Sequence, residues 1–194
     1  MRNRPRKGPA PMTGSTARSG ARGVIAAAAF LLACAAAAQT VITVPPEPER
    51  VLSFFNTHNG ERLRVVYKRG ADYLQPALDD IKHVLRDPLT NDEIPIDPNL
   101  LDFLYDLLQK VGFRGEVEVV CGFRCVETNT RLHNQSSSVV LASQHTKGQA
   151  LDFRLRGFNT RKLYEVAKSM KRGGTGYYKA SDFIHIDTGP VRSW

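Results

Sequence analysis

The segment Ser143-Gln144-His145-Thr146-Lys147-Gly148-Gln149-Ala150-Leu151-Asp152 constrains this chain more than any other. It joins an imidazole to a carboxylate through a glycine-containing turn, and both groups bind metal ions. A second cluster, Asp182-Phe183-Ile184-His185-Ile186-Asp187, lies near the C-terminus. Successive side chains of a strand alternate between faces, so a strand from Gln149 to Leu155 sets Ala150 and Asp152 on one face. The Gly148 turn folds His145 back beside that face. On a final strand His185 and Asp187 share a face, with Asp182 at its entrance. If these two strands are neighbours, all five polar side chains line one cleft. Two His and up to three Asp are enough for a zinc ion with three protein ligands and an open water position, with one carboxylate left as a base. Taken singly, each reads as a hydrogen-bonded polar residue; the combination points to metal chemistry.

The flanking segments predict an α+β fold around a small antiparallel sheet flanked by helices. Leu52 to Asn56 and Leu63 to Tyr67 are β-prone runs joined by a turn containing Asn59-Gly60, a strong hairpin signal. Leu74, Leu78, Ile81 and Leu85 recur at helical spacing, and that helix stops before Asp87-Pro88. Asp97-Pro98 reads as N-cap and first residue of a helix carrying Leu100, Leu101, Leu104, Leu107 and Leu108, ended by Gly112. These leucines read as core. A strand from Glu116 to Cys121, a short helix from Glu127 to His133, and a helix capped by Asn159 follow. Thr175 to Tyr178 and Phe183 to Asp187 read as the last strands.

The formal charge of +8 suggests nucleic acid until it is located. Arg2, Arg4, Arg6, Lys7, Arg18 and Arg22 account for six of those charges, which leaves +2 for everything after them. The basic character therefore belongs to a leader, and no nucleic-acid partner is expected. Residues 1–38 read as a signal peptide: a basic leader, then an apolar block from Val24 to Cys34 that is shorter than the roughly 20 residues of a membrane span, then small residues. Leu31-Leu32-Ala33-Cys34 also reads as a lipobox, with lipid on Cys34. Residues 39–50, with Pro45-Pro46-Glu47-Pro48, read as an extended tether, and the domain is expected over 51–194. Export is expected on either reading. Membrane contact is expected only through the N-terminal segment or that lipid.

The segment Ser143-x-His145-x-x-Gly148-x-Ala150-x-Asp152 resembles the signature of the zinc D-Ala-D-Ala metallopeptidases of the lysostaphin/hedgehog-type group. Gly122-Phe123-Arg124, Gly176-Tyr177-Tyr178, His185-Ile186-Asp187-Thr188-Gly189 and Trp194 resemble the YcbK-like murein endopeptidase branch of that group. The resemblance covers Val51 to Trp194. It implies His145, Asp152 and His185 as ligands of Zn2+, and a periplasmic or envelope enzyme acting on peptidoglycan peptides. Where relatives carry a Glu base three residues before the last ligand, this chain has Asp182; where others carry a second His, it has Asp187. Asp182 is the preferred base and Asp187 the alternative, as base, ligand or partner of His185. Arg124 is expected to stabilise the oxyanion, and Ser143 to orient the site by hydrogen bonding. Two other readings stay open: a D,D- or L,D-carboxypeptidase trimming stem peptides, and a non-catalytic zinc-containing cell-wall binding module.

Cys121 and Cys125 flank Arg124. In an oxidising envelope they are a possible disulfide that would stiffen the arginine turn, with a reduced pair as the alternative; zinc binding by the pair is set aside because the His/Asp set already suffices. His58, His83 and His133 lie outside the motifs.

Overall fold

A computed structural model of the chain describes residues 47–136 and 139–194. The signal segment, Cys34 and most of the proline-rich stretch lie outside the described residues. The first hairpin is β1 (Glu49–Asn56) against β2 (Arg62–Arg69), antiparallel, with Gly60 in the turn at φ +77°. β1 thus begins two residues before the expected start of the domain. A two-residue β3 (Asp72–Tyr73) extends the edge, and α1 (Gln75–Val84) and α2 (Pro98–Val111) follow. Next come β4 (Val117–Cys121), α3 (Val126–Gln135), β5 (Ala150–Leu155), α4 (Thr160–Ser169), β6 (Gly174–Tyr178), β7 (Phe183–Asp187) and β8 (Arg192–Ser193).

These strands form one eight-stranded sheet in the order β3-β2-β1-β4-β5-β7-β6-β8. The expected small antiparallel sheet is therefore larger, and it is mixed. β1 pairs with β4, and β6 with β8, in parallel. The first parallel joint has a topological cause. α1 and α2 separate β2 from β4, which frees the chain to cross over and enter beside β1 in the same direction.

α2 forms for the local reasons its sequence carries. The Asp97 side chain accepts the Asn99 N–H, Pro98 occupies the first turn, and Gly112 closes the helix at φ +69°. Its apolar face buries Leu100, Leu101, Phe103, Leu104, Leu107 and Leu108. These meet Phe54, Val117, Val119, Phe153, Ile184 and Ile186 from the sheet in one continuous core. Alternation then decides what the other sheet face carries. With Leu151 and Phe153 turned into the core, Asp152 faces away from it; with Ile184 and Ile186 inside, so do His185 and Asp187. The site stands on that face.

Candidate active site

Residues 143 to 148 fold back on themselves before β5 begins. Ser143 Oγ accepts the His145 N–H at 3.3 Å, Thr146 Oγ1 donates to Ser143 O at 2.8 Å, and a 3-10 turn spans Gln144–Lys147. Gly148 ends it at φ +67°, in the left-handed region. A Cβ there would also lie 2.4 Å from the Pro95 carbonyl oxygen, so position 148 admits glycine on two counts. The reversal sets His145 beside Asp152. β5 and β7 are antiparallel neighbours with Asp152 opposite His185, which brings in the second imidazole.

His145 Nδ1 lies 2.7 Å from Gly122 O; it donates there and leaves Nε2 facing Asp152 Oδ1 at 3.3 Å. The same carboxylate oxygen is 2.8 Å from His185 Nδ1. His185 Nε2 is 2.9 Å from Asp187 Oδ2. Asp187 is fully buried behind this ring and also accepts from Gly174 N (3.0 Å), Gly189 N (2.8 Å) and the Arg192 guanidinium (2.6 and 3.1 Å). Burial pushes the Asp152 carboxyl up in pKa. The His145 charge and hydrogen bonds from both imidazoles more than offset that and hold it well below the usual carboxylate range. Asp187 is likewise opposed by burial and held low by His185, Arg192 and the two backbone amides. Burial pulls His145 down, but Asp152 and Cys121 raise it well above an ordinary imidazole.

This donor set suits a metal ion. Each imidazole has one nitrogen tied to a fixed acceptor, a backbone carbonyl for His145 and Asp187 for His185, and the other turned toward Asp152 Oδ1. Such outer partners fix the tautomer of metal-binding histidines. A third kind of donor is present as well. The ligand atoms of Cys121, His145 and Asp152 all lie within 4.8 Å of one another.

The cleft above the site has a volume of about 480 Å³. Arg124 stands on its wall, with Nη1 bonded to Asn129 Oδ1 at 3.2 Å and Nη2 at 3.3 Å from Cys121 Sγ. Tyr178, stacked on Phe183 with centroids 4.5 Å apart, and Trp194 complete an aromatic side. The Trp194 ring lies 5.2 Å from the His185 ring, and its Nε1 donates to Tyr178 Oη at 3.2 Å. Its backbone pairs with Thr175 and Tyr177. A Cβ at Gly176 would come within 2.6 Å of the indole, which explains a glycine beneath it.

The expected five-residue cluster is thus only partly assembled. His145, Asp152 and His185 converge, and Asp187 backs them. Asp182 does not join: it sits in the left-handed region at φ +52°, exposed, while its neighbours Ser181 and Phe183 line the cleft. Cys121 and Cys125 are free thiols, not a disulfide. Cys121 turns into the site at the end of β4, whereas Cys125 caps α3 by accepting the Thr128 N–H. Sequence reasoning named Cys121 only as half of a possible disulfide beside Arg124, and missed Tyr178, Phe183 and Gln144 as walls of the cleft. Only Trp194 and Tyr178 carried a signal, as parts of the family pattern.

A family model described as peptidoglycan L,D-endopeptidase MepK matches residues 45–194. The chain is 42% identical over 149 residues to the peptidoglycan L,D-endopeptidase MepK of Escherichia coli K12, covering 77% of this chain and 81% of that protein. It is 41% identical over 150 residues to the probable peptidoglycan L,D-endopeptidase MepK of Haemophilus influenzae, covering 77% and 80%. No solved structure matches significantly. The match spans every element that carries a site residue, from β4 to Trp194, and on that ground the chain belongs to the M15 peptidase family described as peptidoglycan L,D-endopeptidase MepK.

Proposed function

We propose that the chain is a zinc-dependent endopeptidase that hydrolyses an L,D-peptide bond in peptidoglycan cross-links, with His145 Nε2, Asp152 and His185 Nδ1 holding the zinc. One observation carries this reading: two buried imidazoles present a nitrogen each to Asp152 Oδ1, at 3.3 and 2.8 Å. Bound there, zinc supplies a water of lowered pKa and a Lewis acid for the carbonyl oxygen. The chain's residues do the rest. Gly122 O accepts a hydrogen bond from the Nδ1–H of His145, which leaves Nε2 as the nitrogen facing the centre. Asp187 accepts the Nε2 proton of His185 and so turns Nδ1 inward. Arg124 supplies a fixed cation on the wall, suited to charge developing on the scissile carbonyl oxygen. Ser143 holds the turn that aims His145.

The base role expected of Asp182 finds no support in its exposed position, and Asp187 is held by His185, Arg192 and two amides; its role here is to orient His185. We assign the activity to the cell envelope, with any membrane contact through the N-terminal segment or a lipid on Cys34. The test is incubation of the purified protein with defined cross-linked muropeptides, with zinc or with chelator, read by mass spectrometry. Zinc-dependent conversion of dimers to monomers is expected, and the product masses identify the bond. Loss of a terminal residue alone would point to a carboxypeptidase. Bound zinc without any product would point to a binding module.

A further inference from the structure

We propose that Tyr178 binds the substrate directly, its phenol O–H donating to a carbonyl or carboxylate oxygen of the peptide beside the bond that is cut. The proposal rests on the peptidase reading above and adds a specificity residue to it. Its first support is the sheet register. β6 runs antiparallel to β7 with Gly176 opposite His185 and Tyr178 opposite Phe183. Opposed residues share a face, so Gly176 and Tyr178 stand on the site face with His185. Thr175 and Tyr177 turn the other way, and the Tyr177 ring stacks on Tyr164 against the core. The site face of β6 thus carries Gly174, Gly176 and then Tyr178, the first side chain that can reach a substrate. Two strand residues span about 7 Å, which sets Tyr178 beside a neighbouring residue of an extended peptide whose scissile bond lies at His185.

The second support is the direction of one hydrogen bond. Trp194 Nε1 donates to Tyr178 Oη at 3.2 Å. An indole N–H can only donate, so the phenol oxygen is the acceptor of this pair and its own hydrogen points elsewhere. Among the described residues no acceptor takes that hydrogen, although Tyr178 lines the cleft. Tyr67 and Tyr73 are the internal contrast, since both spend their O–H on Asp102, at 2.7 and 2.8 Å. The Tyr178 ring is also held in place. It stacks on Phe183 at 16° between planes, and the indole that fixes its oxygen is anchored by the Trp194 backbone bonds to Thr175 and Tyr177. A half-buried phenol with a fixed oxygen and an unused hydrogen on a cleft wall is a preorganised donor. Peptidoglycan peptides offer it carbonyl and carboxylate oxygens.

The experiment compares zinc-loaded wild type with Tyr178→Phe, which keeps the ring and its stack and removes only the hydroxyl. Trp194 is the only tryptophan of the chain, so rapid mixing with muropeptide dimers reads binding from its emission before product forms. Tyr178→Phe is expected to raise both that Kd and the KM of hydrolysis, with kcat and zinc affinity unchanged. The rise should be roughly 2–10-fold if the acceptor is a carbonyl oxygen and roughly 10–150-fold if it is a carboxylate. Dimers amidated at their free carboxyl groups separate the two: the penalty shrinks to the smaller range for a carboxylate and stays the same for a carbonyl. Trp194→Phe supplies the control for a purely structural role. Adding Tyr178→Phe to it should still raise KM by a similar factor, and loss of that effect would mean that the phenol only steadies the indole, which overturns the proposal. Equal Kd and KM in wild type and Tyr178→Phe overturn it as well and leave the peptidase reading standing. Binding by wild type without hydrolysis overturns the peptidase reading, and the ratio of the two Kd values then still decides Tyr178.

Discussion

At the scale of single residues, two aspartates at similar places in the sequence have different fates. Asp187 has no exposure and accepts from an imidazole, a guanidinium and two amides, whereas Asp182 stands in solvent on a left-handed backbone. Asp182→Ala should leave stability within about 0.5 kcal/mol of wild type, as surface changes away from such networks do, and turnover of muropeptide dimers near the wild-type rate. Asp187→Ala should weaken zinc by roughly 10–100-fold, because His185 loses the partner that fixes its tautomer. Competition with a chelator measures the second effect, and steady-state hydrolysis measures the first. A large loss in Asp182→Ala would restore that residue as the base. The sequence showed both carboxylates near His185. Their difference comes from backbone conformation and burial, which short spacing does not encode.

At the scale of elements, the 143–148 turn and α2 carry the testable weight. Gly148→Ala sets a Cβ 2.4 Å from Pro95 O on a backbone already at φ +67°. Left-handed strain costs about 1–3 kcal/mol for a non-glycine residue. The clash adds to it, so denaturant titration should show a loss at or above that range, and the turn should release His145 together with its metal. α2 is tied to the hairpin by Asp102, which accepts from Tyr67 Oη (2.7 Å), Tyr73 Oη (2.8 Å), Lys68 Nζ (2.8 Å) and Arg50 Nη1 (3.2 Å). Burial raises the Asp102 carboxyl, but hydrogen bonds from Lys68, Tyr67 and Tyr73 and the Arg50 charge bring it below its usual pKa. A carboxyl depressed in the native state adds stability that is fully present above its unfolded pKa, near about 4, and is lost as pH falls through the lower native value. Asp102→Asn should therefore cost roughly 3–5 kcal/mol at neutral pH, the range for breaking a buried ion pair, and flatten the decline of stability below about pH 4. Thermal melts of both proteins between neutral pH and pH 2 check the sign. An equally steep acid decline in the variant would remove Asp102 from this account. The caps and leucine spacing made α2 legible from the sequence, but nothing in that spacing singled out Asp102. Its partners come from β1, β2 and β3, which sequence spacing does not relate to it.

At the scale of the whole molecule, the site joins distant parts of the chain: β4, the 143–148 turn, β5, β7 and Trp194. His145 and Asp152 carry 4% and 7% of their possible exposure, and His185 6%, so the centre gathers charged groups inside the fold. An ion that binds the native state and not the unfolded one stabilises it by about 2.7 kcal/mol at a free concentration 100 times the dissociation constant. Zinc should therefore raise the melting temperature and chelator should lower it, with the difference lost in His145→Ala. A melting temperature indifferent to zinc would argue against a site built from these elements. What the sequence determined by itself was local. Hydrophobic periodicity, caps and glycines set most elements, and the motif from Ser143 to Asp152 built its own turn, because both depend on interactions within a few residues. Only the tertiary structure decided the rest: the parallel entry of β4 beside β1, the bulge that sets Cys121 opposite Asp152, the exposed place of Asp182, and the indole beside His185. Each depends on which strands become neighbours and in what register, and that is set by packing the whole core at once.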